Sequence, residues 1–418
     1  MPYRFIHTAD IHLDSPLKSL ALRHPGLSQL IGNASRQVFG RIIDLCVEES
    51  VDALVIAGDL YDGSQTSMKT ARFLVQQFAR LHAAGIAVYL IRGNHDAEAR
   101  ITRELVFAET VKVFGSKAEV VVVEKGALRI ALHGISFAKP HAPESLLDRF
   151  RLAVSGAVNV GLLHTSLVGA SGHDPYAPCS VAELHATGFD YWALGHVHLR
   201  AQHDGRATVV MPGNPQGRDI GEAGAKSVTL VTVADDGRLS VETRPTAIAR
   251  FERLPVDLDG VSEWREVTNR IEASIRLART RFEEDHLVLR PVLQGRTPLA
   301  WQILRDLDLL TEQAVTVSEA LGTVWIDKVE NACLAGAAPT GAGAVAELGA
   351  MVDAAALNPA VIAAIEEEAE RLLHAVPREL REMLGTDPAA ISARSLTLLQ
   401  AGAAEVMARL AGAEAAEP

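Results

Sequence analysis

Residues Arg4-Phe5-Ile6-His7-Thr8-Ala9-Asp10-Ile11-His12 run from a short apolar stretch straight into an Asp-x-His cluster. The same layout returns four times. Ala53–Ala57 leads into Gly58-Asp59-Leu60-Tyr61-Asp62, and Ile86–Ile91 into Gly93-Asn94-His95-Asp96. Val158–Leu163 leads into His164, and Asp190–Leu194 into Gly195-His196-Val197-His198. Short runs rich in Val, Ile and Leu suit strands buried on both faces. Ser35–Glu49 and Thr66–Ala84 carry apolar residues three and four apart, the mark of amphipathic helices. The opening is therefore β-α-β-α-β, which predicts a parallel sheet with right-handed crossovers. Ligands gather beyond the carboxyl ends of such strands, so the polar clusters are expected to converge on one crevice. Glu119–Val123 and Leu128–Leu132 add strands. Ala207–Met211, Ser227–Val233 and Leu239–Thr243 follow without helices between them, which predicts a second, antiparallel-rich sheet stacked on the first.

Imidazole, carboxylate and amide together suit Mn²⁺, Fe²⁺ or Zn²⁺ better than Ca²⁺, which takes oxygen alone. Two dications a few ångströms apart repel strongly, so a pair needs an anionic bridge. Asp59 is the natural bridge, with Asp10, His12 and His198 completing one shell and Asn94, His164 and His196 the other. A lone Asp-x-His or His-x-His is a weak signal, and His7 and His133, inside strand runs, read as structural. The force of the pattern lies in five clusters in order, each at a strand end.

Composition bounds the rest. Of 418 residues, 48% are hydrophobic and 22% charged, enough for ordinary globular cores. The net charge of −12 excludes nucleic-acid binding through overall positive charge, though not through a local basic groove. Three cysteines without a Cys-x-x-Cys pair argue for a reducing compartment and against a zinc ribbon. No apolar leader and no uninterrupted apolar span is visible, so the expected location is cytoplasmic, with no membrane contact. Residues 1–248 read as a catalytic domain and 249–330 as a small α+β capping domain. Residues 331–345 read as a Gly/Ala/Pro linker and 346–418 as an Ala-rich helical tail. From 331 onward, 12 acidic residues face 5 basic ones, so most of the acidity sits there. Helical patterns in the tail cover Val345–Ala356, Pro359–Ala375, Pro377–Leu384 and Ser392–Leu410.

The five clusters in this order resemble the calcineurin-like metallophosphoesterase superfamily over roughly residues 1–245. The resemblance implies an α/β fold: a β-sandwich flanked by helices, with a two-metal site at one edge. Its ligands would be Asp10, His12, Asp59, Asn94, His164, His196 and His198, with His95 matching the superfamily's non-ligand histidine. A finer likeness rests on His7 to Pro16, Tyr176-Ala177-Pro178-Cys179, Asp190 to His198, Pro212 to Arg218 and Leu289 to Thr297. These stretches resemble SbcD-type DNA exonucleases, in particular the YhaO branch. The likeness implies a two-metal DNA nuclease in double-strand-break repair, with Mn²⁺ as the expected metal. It also implies DNA as substrate, an SMC-like coiled-coil ATPase of the SbcC or YhaN kind as partner, and leaves a homodimer open.

In the implied reaction an activated water attacks phosphorus in line, and His95 assists the leaving oxygen. Asp62 is the expected partner of the His95 ring. Asp96 is a second orienter or a helix cap. Arg92 and Arg218 are candidate phosphate contacts because guanidinium binds phosphate bidentately. Asn214 either adds a substrate hydrogen bond or ties loops together. Asp62 stands where some nuclease relatives carry histidine and many phosphatases aspartate. A phosphatase or nucleotide phosphodiesterase therefore stays open, as does a scaffold that recruits an ATPase to DNA. The tail helices would pack on that ATPase or on one another.

Overall fold

The structure is a computed structural model that describes residues 1–15, 25–61, 68–97, 107–167, 176–335, 344–356, 358–375, 391–400, 402–403 and 406. It divides into two compact units, Met1–Glu252 with Glu284–Val288, and Arg253–Glu283 with Leu289 onward.

The first unit is built on two six-stranded sheets. In chain order its strands are β1 (Tyr3–Thr8), β2 (Ala53–Ala57), β3 (Ala87–Ile91), β4 (Val111–Val113), β5 (Glu119–Lys125) and β6 (Leu128–Gly134). They continue with β7 (Val158–His164), β8 (Tyr191–Gly195), β9 (Ala201–His203), β10 (Thr208–Met211), β11 (Ser227–Val233) and β12 (Leu239–Pro245). One sheet runs β12-β11-β1-β2-β3-β4, the other β5-β6-β7-β8-β10-β9. β1 to β4 are parallel, as are β6, β7, β8 and β10.

Alternation along each strand divides its side chains between two cores. Tyr3 and Phe5 of β1, and Ala53 and Val55 of β2, meet Ile130, Leu132, Val160, Leu162 and Tyr191 of the other sheet. Ile6, Leu54 and Ile56 point the opposite way, against α1 (Pro25–Glu48) and α2 (Met68–Ala83) through Phe39, Ile42, Leu74 and Phe78. The outer face of the second sheet packs Trp192, Leu194 and Val209 against Leu184 of α3 (Val181–Ala186). Burial on both faces is why these strands read as continuous apolar runs, each large side chain contributing ~1.5–3 kcal/mol. The result is an α/β sandwich flanked by helices.

Two expectations are corrected. The late strands do not form a sheet of their own. β10 adds parallel to β8, whereas β11 pairs antiparallel with β1 and carries β12 on its outer edge. The free edge of β1 is the physical reason, because β2 occupies only its other side. In addition, α1 begins ten residues before Ser35, at a proline, which a first helical turn accepts.

In the second unit, β13 (Ala249–Asp257), β14 (His286–Thr297) and β15 (Val324–Ile326) lie in that order, and β16 (Glu330–Ala335) pairs parallel with β14. The first residues of β13 and β14 belong to the first unit. α4 (Trp264–Arg281) buries Val267, Ile271, Ile275 and Ala278, and α5 (Ala300–Arg305) and α6 (Leu307–Leu321) follow. Arg290 makes a buried ion pair with Asp327 and also reaches Glu330. Residues 331–335 therefore belong to a strand and not to a linker, since their backbone groups are taken up by β14. Residues 336–343 lie outside the described residues. α7 (Ala344–Ala356) and α8 (Pro359–Ala375) match the expected tail helices, and residues 391–400 are helical. The helix expected at Pro377–Leu384 lies outside the described residues. Among the described residues, no helix is long and apolar enough to cross a membrane.

Candidate metal centre

The five polar clusters all stand where a parallel strand has just ended: β1, β2, β3, β7 and β8. Backbone hydrogen bonds lash the first two together, from Asp10 N–H to the Gly58 carbonyl, His12 to Asp59 and Leu13 to Leu60, at 3.0–3.1 Å. To turn side chains inward within so few residues, Asp10 (φ 53°), His12 (46°), Asp59 (51°) and His196 (106°) adopt positive φ. For residues with a Cβ this costs roughly 1–3 kcal/mol each and persists only where surrounding contacts enforce it. The glycines are dictated by crowding. A Cβ on Gly93 would collide with Asp59 Oδ1 and stand 2.7 Å from His164 Nε2.

Donor atoms of Asp10, His12 and His198 lie within 4.8 Å of one another, and so do those of Asp59, His164 and His196. His12 Nε2 and His198 Nε2 are 3.2 Å apart. His164 Nε2 is 3.0 Å from Asn94 Oδ1 and 3.3 Å from Asp59 Oδ2, and His12 Nε2 is 3.9 Å from that same carboxylate oxygen. Asp59 thus stands between the two groups. Two ligands of one ion, each about 2.0–2.2 Å from it, are themselves about 3.0–3.5 Å apart, the spacing seen here.

Proton placement makes the same point. The Ala57 carbonyl, 2.9 Å from His164 Nδ1, can only accept, so Nδ1 carries the proton. Nε2 then faces the Asn94 amide oxygen and the Asp59 carboxylate, two acceptors that a proton on the ring or a shared cation would satisfy. Burial opposes the protonated ring, but Asp59 and Asp10 outweigh it and draw the His164 imidazole up to about 9. Burial opposes ionisation of Asp59, but His164, His12 and His95 hold it well below the usual carboxylate range. Burial pushes Asp10 up, against the pull of His164 and His198. Burial also lowers His12 to about 3, leaving it the neutral base that a metal ligand must be.

A chain with this centre has relatives. Residues 3–200 match the calcineurin-like phosphoesterase family and residues 251–334 the middle domain of metallophosphoesterase YhaO. Metallophosphoesterase YhaO of Bacillus subtilis (strain 168) is 34% identical over 300 residues, covering 70% of this chain and 72% of that protein. The chain belongs to the YhaO family of calcineurin-like metallophosphoesterases. It is also similar to the DNA double-strand break repair protein Mre11 of Methanocaldococcus jannaschii, at 28% identity over 47% of this chain and 51% of that one. The D component of the nuclease SbcCD of Escherichia coli (strain K12) is 24% identical over 76% and 90% of the two chains.

The remaining residues of this metallophosphoesterase sort by what they touch. A ring nitrogen of His95 lies within 4.8 Å of donor atoms of His12 and Asp59, and the His95 N–H donates to Asp59 Oδ1 at 3.0 Å. Asp62 lies outside the described residues. The Asp96 carboxylate accepts backbone N–H groups of Leu60, Tyr61 and Gly93 at 2.9–3.2 Å, fastening the Asp59 loop to the Asn94 loop. The residues that Asp96 would cap lie outside the described residues, and burial beside Asp59 pushes its carboxyl up to about 6. Of its two expected roles, Asn214 takes the loop tie. It is buried and its amide N–H groups go to the Gln216 carbonyl and Glu222, so it ties the loop and presents no free donor group.

Arg218 lies at the Asp10–His12–His198 group, with its guanidinium on Glu222 and 3.1 Å from His198 Nδ1. Arg92 donates its main-chain N–H to Ser136 Oγ, and its buried Nε has no hydrogen-bond partner among the described residues. His7 and His133 are buried within the strands, as expected. Glu222 escaped the sequence reading altogether, although an acid four residues after Arg218, past the Asn214 turn, was the available signal.

Proposed function

We propose that this protein is a two-metal phosphodiesterase that cuts DNA in double-strand-break repair. Asp10, His12 and His198 would hold one ion, Asn94, His164 and His196 the other, and Asp59 would bridge them. The observation that carries this reading is the convergence of His164 Nε2, Asn94 Oδ1 and Asp59 Oδ2 on one volume, with Nε2 at 3.0 and 3.3 Å from the two oxygens. The mixed imidazole and oxygen donors suit Mn²⁺, Fe²⁺ or Zn²⁺, and the likeness to SbcD-type nucleases makes Mn²⁺ the expected metal. Two such ions, when bound, polarise phosphoryl oxygens and lower the pKa of water.

The chain's own groups do the rest. His95, beside both Asp59 and His12, gives its proton to the departing 3′-oxygen. Its pairing with Asp62 rests on the sequence. Arg218 and Arg92 flank the ligand loops and supply fixed positive charge for the phosphates on either side of the scissile bond. DNA as substrate is supported by the similarity to a DNA double-strand break repair protein and to a nuclease component. An SMC-like coiled-coil ATPase is the proposed partner and the cytoplasm the proposed location. Residues 1–248 would be the catalytic domain and 249–330 its cap, with the helical tail reaching the ATPase.

The test is direct. Purified protein with Mn²⁺ is offered end-labelled DNA, a chromogenic phosphodiester and a phosphomonoester. Shortening of the DNA together with diester turnover is expected. Activity confined to the monoester would overturn the substrate assignment.

A further inference from the structure

His198 is gripped at both ends by groups outside the ligand set. Its ring Nδ1 lies 2.7 Å from Glu222 Oε1 and 3.1 Å from Arg218 Nη2. A guanidinium only donates and a carboxylate only accepts, so one ring nitrogen cannot serve both. The surroundings of Glu222 decide between them. Its carboxylate takes Arg218 Nη2 at 2.6 Å, Asn214 Nδ2 at 2.7 Å and the Arg218 backbone N–H at 2.8 Å, an environment built for an anion. The imidazole must then carry the proton in its short contact with Glu222. At the other end, the His198 carbonyl accepts from the buried Lys226 ammonium and from the Asn214 N–H, both at 3.3 Å. His12 differs: its Nδ1 is buried with no hydrogen-bond partner among the described residues.

We propose that Glu222 is the positioning residue of this centre: it holds His198 as the Nδ1–H tautomer, so that Nε2 keeps its lone pair aimed at the volume shared with Asp10 and His12. The inference rests on the metal-centre reading. An acceptor behind a ligating histidine fixes the ring and raises its basicity, and losing one typically costs 10–100-fold in metal affinity. Arg218 holds the carboxylate from the far side and Asn214 closes the ring of donors around it. The stretch from Asn214 to Glu222 thereby serves as scaffolding for one ligand.

Two measurements on the full chain test this. First, Mn²⁺ is titrated calorimetrically into metal-free wild type, Glu222→Gln and Asp219→Ala. The Gln amide retains the shape but sets its own N–H groups against the Arg218 and Asn214 donors. We expect Glu222→Gln to weaken one of two binding events about 10–100-fold. The other event stays within about threefold. Asp219→Ala, which removes the bond from the Gly221 N–H in the same loop, leaves both within about threefold because the Glu222–His198 bond survives. Equal Mn²⁺ binding by wild type and Glu222→Gln, or equal losses in both variants, would overturn the proposal and indicate a loop brace alone. Second, ¹⁵N-histidine spectra of metal-free wild type read the tautomer of His198, its signals identified by their loss in His198→Gln. Nδ1–H is expected. Nε2–H overturns the proposal even if Glu222→Gln fails to fold. Wild type that takes up no Mn²⁺ would instead sink the metal-centre reading, while the tautomer still reports on the grip of Glu222.

Discussion

Two groups of buried histidines stand a few residues apart, and they are treated in opposite ways. In the strand bodies His7 bonds groups of complementary kind at both ring nitrogens, Nδ1 accepting from the Tyr191 hydroxyl at 2.9 Å and Nε2 donating to the Leu194 carbonyl at 3.1 Å. His133 is matched at Nε2 alone, its Nδ1 having no hydrogen-bond partner among the described residues. His133 Nε2 bonds Asn159 Oδ1 at 3.0 Å, and its ring lies 4.4 Å from that of Phe189. Beyond the strand ends, His164 Nε2 faces two oxygen acceptors and His12 Nε2 faces another imidazole nitrogen. Burial is the same and the match of donor to acceptor is not. Satisfied groups stabilise the sandwich outright. The strand-end groups, with Asp10, His12, Asp59 and His196 at positive φ, give up stability for a geometry that a bound cation makes favourable.

The sharpest way to break this contrast is at Asp59. Asp59→Asn should drop hydrolysis to background and erase the rise in Tm that Mn²⁺ produces, which at 100 times Kd corresponds to ~2.7 kcal/mol. His7→Gln, buried equally deep, should leave that rise in place. Thermal melts with and without Mn²⁺ read both. Next comes His95. His95→Ala should lower kcat on DNA by about 10²–10⁴ while Mn²⁺ affinity holds within a few-fold. On an aryl diester, whose leaving group needs no proton, most of that loss should vanish. Equal losses on both substrates would remove His95 from the acid role.

The same contrast explains what could be read from the chain alone. Asp10, Asp59, Asn94, His164 and the His196–His198 pair were legible because each follows an apolar run, and strand bodies and strand ends differ in composition. The helices on the first sheet were legible through their apolar spacing. Where a strand pairs was not, since β11 and β12 carry the same alternation whether they add to β1 or form a separate sheet. Nor were the supports. Asp96 and Asn214 look like site residues because they are polar and adjacent to it, yet their partners are backbone N–H groups and Glu222, contacts that spacing does not encode. Glu222 is 24 residues from His198, at the end of the single 3-10 turn Ile220–Glu222, too short to carry a periodicity.

Two glycines sharpen the comparison. A Cβ on Gly161 in β7 would collide with the Trp192 ring, and one on Gly93 would collide with Asp59 Oδ1. Both Gly161→Ala and Gly93→Ala should lose about 1–3 kcal/mol by overpacking, read by urea unfolding of the metal-free chain. Only Gly93→Ala should also lose Mn²⁺ affinity. Parallel loss of affinity in Gly161→Ala would mean that the centre is not mechanically separate from the strand bodies.

The smallest effect concerns protons. Burial lowers His7 to about 3 from its ordinary 6.5, the Leu194 carbonyl opposing and Arg200 adding to the shift. A base depressed in the folded state binds its proton first in the unfolded chain. Its contribution is therefore absent above pH 6.5, and stability falls by ~1.4 kcal/mol per pH unit as pH drops toward 3. His12, lowered to about the same value, adds an equal slope in the metal-free chain. It does so in wild type and variant alike, so their difference isolates His7. His7→Gln should cost ~1–3 kcal/mol at pH 7, through the disrupted Tyr191 and Leu194 contacts. It should also flatten the acid limb by one proton, so that the two stability curves approach each other between pH 6 and 4. Urea unfolding at each pH measures this, and curves that stay parallel would show that His7 takes up its proton inside the folded sandwich.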